Sequence, residues 1–147
     1  MRIFILIYTE AKMSTIKIED HSDEVLAELH NRIPVILKAL GIEAEGNAIK
    51  EITDIKAVDT GRLRNSITFV TKDAQGSPNG QPGEKAKPED YAPHGSVASG
   101  EIYIGTNVEY APYVELGTSR MAARPFLRNA ISNYGEDYKR IIEEGLK

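Results

Sequence analysis

The stretch SDEVLAELHNRIPVILKALGIEAEGNAIKEIT, residues 22–53, decides the class of fold. Val25, Leu29, Ile33, Ile36, Leu37, Leu40, Ala44, Ala48 and Ile52 recur at spacings of three and four, the period of a helix with one apolar face. Asp20 or Ser22 is placed to cap its start, and Asp23 and Glu24 suit the positive end of the helix dipole. Pro34 and Gly41 interrupt the pattern. A proline inside a helix removes one hydrogen bond and crowds the preceding turn, so a kink or two helices are expected there.

Downstream the period changes. In NSITFVT, residues 65–71, Ile67, Phe69 and Thr71 alternate with Ser66, Thr68 and Val70, which predicts a strand. EIYIGTNV, residues 101–108, resumes the alternation and should pair antiparallel with it. Between them, residues 72–100 are rich in Gly, Pro, Ser and charge. Such a composition buries too little apolar area to offset the entropy of ordering, so it predicts a long, mobile hairpin arm. Tyr91 is one of its few groups able to dock on a neighbour.

Pro112 and Gly117 bracket a short helix, and a final helix is expected to run from Pro125, with Phe126, Ala130, Tyr134, Tyr138, Ile141 and Ile142 on one face. Pairs such as Glu136–Arg140 and Lys139–Glu143 are spaced to support its wet side. The expectation is an α+β domain, a small antiparallel sheet packed by a long N-terminal and a C-terminal helix. It occupies residues 14–147, preceded by an extension, residues 1–13, of uncertain role. MRIFILIY is apolar for too few residues to span a bilayer and reads either as a buried strand or as sequence upstream of a natural start at Met13.

Chemistry is sparse. The 147 residues carry a formal net charge of −4, which argues against a phosphate-gripping protein, although a local basic patch stays open. There is no cysteine, hence no disulfide and no thiolate chemistry. His21, His30 and His94 are scattered and form no metal-binding pair. No nucleophile elbow and no phosphate-cradling loop is present. No cofactor or metal is expected.

Asp59-Thr60-Gly61 matches the three letters of an aspartic-protease site. Such a site needs two carboxylates sharing a proton. Arg62, directly after Gly61, would hold a neighbouring carboxylate ionised. The better reading is a turn: Asp59 and Thr60 bond to nearby backbone, Gly61 accepts positive φ, and the helix ends. Arg62, Arg64 and Asn65 then project from the start of the strand.

Three blocks stand in order: DTGRLRNSI at 59–67, GTNVEYAPYVELGT at 105–118 and RPFLRNAI at 124–131. Together they resemble the small neck or tail-component proteins of tailed bacteriophages and prophages, of the kind typified by phage Hong Kong 97, over residues 14–145. Residues 1–12 and the central loop do not match the pattern.

The resemblance implies a structural protein, not an enzyme. It would be made in the bacterial host cytoplasm and built into the virion neck or tail, as a homo-oligomeric ring around the DNA channel. Its partners would be head-completion or connector proteins on one side and tail-tube or tail-terminator proteins on the other. Double-stranded DNA would pass without specific binding, and no membrane is involved. Candidate interface residues are Arg62, Arg64, Tyr110, Tyr113, Glu115 and Tyr91; Asp59, Thr60, Gly61, Gly117 and Pro125 are candidates for turns and helix ends. The tyrosine-rich block at 105–118 either meets a neighbour or closes the domain's own core, and both are open to it. The alternatives are the protease at Asp59 and a non-viral interaction module on the same scaffold.

Overall fold

The computed structural model describes residues 20–55, 61–76 and 97–147. Asp59, Thr60, Tyr91 and the extension before Asp20 lie outside the described residues. The chain runs α1 (Ser22–Asp54), α2 (Arg62–Ser66), β1 (Thr68–Val70), β2 (Tyr103–Gly105), α3 (Ala111–Leu116), α4 (Phe126–Ser132) and α5 (Gly135–Leu146). It is the expected α+β arrangement, with one two-stranded antiparallel sheet.

Helix α1 runs unbroken for 33 residues, through Pro34 and Gly41. The expected pair of helices is corrected to one, and the continuity has a physical basis. Pro34 falls in the exposed half of the helix, where solvent can satisfy the carbonyl that loses its partner. Gly41 is buried for a packing reason. A Cβ there would sit 2.2 Å from Cδ2 of Phe69, so the bare backbone makes room for the ring. At the start of α1, the Asp20 carboxylate accepts from the Ser22 backbone N–H at 2.9 Å and from the Ser22 hydroxyl.

The strand predicted over 65–71 is shorter than expected, because its first half is helical. Gly61, at φ 71°, launches α2, and the Asn65 N–H donates to the Gly61 carbonyl at 2.9 Å. Arg62 and Arg64 therefore project from a helical turn, not from a strand. Strand β1 is buried throughout and pairs Thr68, Phe69 and Val70 with Gly105, Ile104 and Tyr103. The first residues of the predicted loop are also ordered. Thr71 and Ala74 close a tight turn, Gln75 bridges back to Val70, and the Gly76 N–H donates to the Phe69 carbonyl at 2.8 Å. A Cβ on Gly76 would meet the Glu45 carboxylate at 2.1 Å and Cδ1 of Phe69 at 2.9 Å.

The short helix falls as predicted, with Pro112 in its first turn and Gly117, at φ 77°, at its end. The last helix does not. It divides into α4 and α5 at Asn133–Tyr134. Ser132, Asn133 and Gly135 are weak helix formers. Glu51 of α1 also takes both residues of the break, accepting from Asn133 Nδ2 at 3.3 Å and from the Tyr134 hydroxyl at 3.1 Å. On α5, Arg140 pairs with Asp137 rather than Glu136.

The core sits at the C-terminal end of α1. Ala48 and Ile52 pack with Leu63, Ile67, Val108, Ala111, Phe126 and Ala130. Burying each of the larger side chains contributes about 1.5–3 kcal/mol. Helix α5 lies back along α1, so close that a Cβ on Gly145 would meet Ile36 Cγ1 at 2.3 Å. Upstream of Ile36 the same stripe is bare: Val25, Leu26 and Ile33 are exposed. No described helix is long and apolar enough to cross a membrane.

Candidate functional site

The three sequence blocks converge on one junction. The first block contributes Arg62, whose side chain is 8% exposed. Its guanidinium makes a two-pronged contact with Glu109 of the second block, Nη1 to Oε1 at 3.0 Å and Nη2 to Oε2 at 2.7 Å. The fork of a guanidinium matches the two oxygens of a carboxylate, which fixes orientation as well as adding energy. The same guanidinium lies 5.7 Å from the centre of the Tyr110 ring. Ser66 adds a second link between these blocks, its hydroxyl 2.6 Å from that of Thr106.

The second block is tied to the third by Glu115. Its carboxylate accepts the backbone N–H of Leu127 at 2.9 Å and of Arg128 at 3.0 Å, the first turn of α4. Those donors have no partner within the helix, and a negative charge suits the positive end of its dipole. Arg124 N–H also donates to the Val114 carbonyl at 2.8 Å. Gly117 makes this approach possible. A Cβ there would lie 2.6 Å from the Ala123 nitrogen and 2.8 Å from the Met121 carbonyl oxygen.

Arg62, Tyr110 and Glu115 are thus engaged within the chain, Arg62 buried and the other two half-buried. Tyr113 differs, at 60% exposed, and Arg64 is half-buried, its Nε donating to Asn65 Oδ1. Pro125 precedes α4 as its N-cap residue. The sequence reading passed over Glu109, the partner of Arg62, and the contribution of Glu51. No local signal marks either residue, since their partners lie 47 and about 80 positions away.

Beside the junction runs an open groove of about 470 Å³ between β2 and α3, lined by Tyr103, Gly105, Pro112, Leu116 and Leu127 among others. Its walls are largely apolar, and the nearby carboxylates of Glu109 and Glu115 are already engaged. Among the described residues no group of three or more His, Asp or Glu is placed to hold a metal ion.

Besides Asp20, whose carboxyl the Ser22 hydrogen bonds hold below its ordinary value, two part-buried groups among the described residues are displaced upward. Burial pushes the Glu45 carboxyl up, opposed by a hydrogen bond from the Phe69 backbone. Burial likewise raises the Tyr138 hydroxyl. That hydroxyl bridges three elements, accepting from Asn47 at 3.1 Å and donating to the Ala130 carbonyl at 2.5 Å. Neither group opens onto the groove between β2 and α3.

No family model, no curated protein and no solved structure matches this chain.

Proposed function

We propose that this chain is a structural subunit of the neck or tail-completion region of a tailed bacteriophage or prophage, working as a ring around the DNA channel. The observation that carries the reading is the convergence of the three sequence blocks. Arg62 to Glu109 joins the first to the second, and Glu115 to the first turn of α4 joins the second to the third. The residues on which the resemblance rests are thereby the ones that lock sheet, short helix and α4 together. Their chemistry goes into a rigid building block. An overall acidic chain also suits a wall past which DNA slides, because it gives the phosphates little to hold.

The test is location. Tailed particles purified from a host carrying the gene should contain the chain at the head–tail joint, seen as a ring by electron microscopy. Deleting the gene should leave filled heads and free tails unjoined. Normal tailed particles from the deletion, with the chain absent from wild-type particles, would sink the reading.

A further inference from the structure

Two surfaces at opposite ends of the molecule complement one another. The first is the projecting start of α1. Val25, Leu26 and Ile33 continue the stripe that Ile36, Ala44 and Ala48 bury further along, yet they are 41%, 52% and 38% exposed. Residues 20–33 carry Asp20, Asp23, Glu24 and Glu28 against Arg32 alone among the lysines and arginines. The second surface is the ledge of α3, the 117–125 turn and α4. It exposes Leu116 at 66% and Tyr113 at 60%, beside the groove between β2 and α3. Arg120, Arg124 and Arg128 are all exposed there, and none has an ion pair with a described residue. The backbone of two of them is held against α3, the Arg124 N–H donating to the Val114 carbonyl and the Arg128 N–H to the Glu115 carboxylate.

We infer that the ledge takes the acidic, apolar start of α1 from a second copy of this chain. The two surfaces cannot meet within one subunit. Helix α4 docks at Glu51, through Asn129 at 3.2 Å, and Glu51 lies about 37 Å beyond Leu26 at 1.5 Å per residue. Opposite charge favours a ledge-to-helix contact over either surface meeting its own kind. A contact between two different surfaces is head-to-tail, and it closes into a ring when the rotation allows. The inference rests on the reading of the chain as a self-assembling subunit, but not on where in a particle the ring sits.

The experiment uses the full chain and two variants at exposed positions. One reverses the helix surface, Asp23→Lys with Leu26→Lys. The other reverses the ledge, Arg124→Glu with Arg128→Glu. Circular dichroism and thermal unfolding first establish that both remain folded. In sedimentation velocity the wild type should form one closed oligomer and each variant alone a monomer. An equimolar mixture should stop at a one-to-one dimer, because one intact helix meets one intact ledge. A monomeric wild type, a folded variant that assembles normally, or a mixture that stays monomeric would overturn the inference. So would a ledge variant that assembles normally while losing binding to a duplex DNA probe, since the arginines would then serve phosphates. Loss of assembly only on deleting residues 1–12 would move the contact to that segment and equally overturn it. Normal assembly of a chain absent from phage particles would sink the neck reading and leave this inference standing.

Discussion

The ring of Phe69 occupies the place where a Cβ of residue 41 would stand, 2.2 Å from Cδ2. On propensity alone, Gly41→Ala should stabilise an exposed helix by about 1 kcal/mol. Here overpacking opposes it, at about 1–3 kcal/mol, so the expected net effect is a loss of stability. Urea denaturation checks the sign. Pairing Gly41→Ala with Phe69→Leu should cost less than the sum of the two single changes.

Arg62 and Glu109 should be coupled. Glu109→Ala leaves the buried guanidinium without its forked partner, whereas Arg62→Met removes the charge and keeps an apolar stem in place. Because Glu109 is itself 62% exposed, a double-mutant cycle should read a modest coupling, about 1–2 kcal/mol. A coupling near zero would reduce the contact to an ordinary surface pair.

Two of the positive-φ glycines, Gly61 and Gly117, should respond unequally. Among the described residues Gly61 has room for a side chain, the nearest atom being Nδ2 of Asn65 at 3.7 Å. Gly117 has backbone atoms at 2.6 and 2.8 Å. Gly61→Asn should therefore cost under about 1 kcal/mol, since Asn tolerates this region of the backbone. Gly117→Ala combines backbone strain of about 1–3 kcal/mol with a steric clash and should cost more. Thermal unfolding of the two variants side by side checks the order.

Glu45 gives a prediction in pH. Its folded value lies above the ordinary 4.5, with burial as the first cause, so the folded state binds this proton more tightly than the unfolded chain does. The stability this group contributes is fully present below its unfolded value and is lost as pH rises through the raised folded value. Glu45→Gln cannot ionise and should be more stable than wild type at neutral pH. The advantage should shrink on acidification toward the ordinary carboxylate range. Parallel pH-stability curves for wild type and variant would contradict this.

What was legible in the sequence followed local rules. The period of 22–53 announced α1, and Pro112 with Gly117 bracketed α3. Alternation found the two strands and their antiparallel pairing but overran their ends. Ser66, read as a strand residue, instead bonds to the Leu63 carbonyl at 2.8 Å and holds a helical turn. The continuity of α1 through Gly41 was hidden because its cause, Phe69, is remote in sequence. The break between α4 and α5 was hidden for the same reason, with Glu51 as the distant partner. Arg62 and Glu115 were visible as charged residues in motif blocks. Their engagement within the subunit depended on Glu109 and on the backbone of α4, which spacing does not reveal.

The clasp of Val70 on Tyr103 holds residues 71–102 at both ends. Holding both ends of a segment is costly once, but further extension is inexpensive: each doubling of a flexible loop adds only about 0.6 kcal/mol of closure entropy. The closure cost of a longer segment is therefore small beside the contacts that join Arg62 to Glu109 and Glu115 to α4. A peptide epitope inserted between residues 79 and 80 would label the subunit in place, and related chains would be free to diverge there while keeping one scaffold.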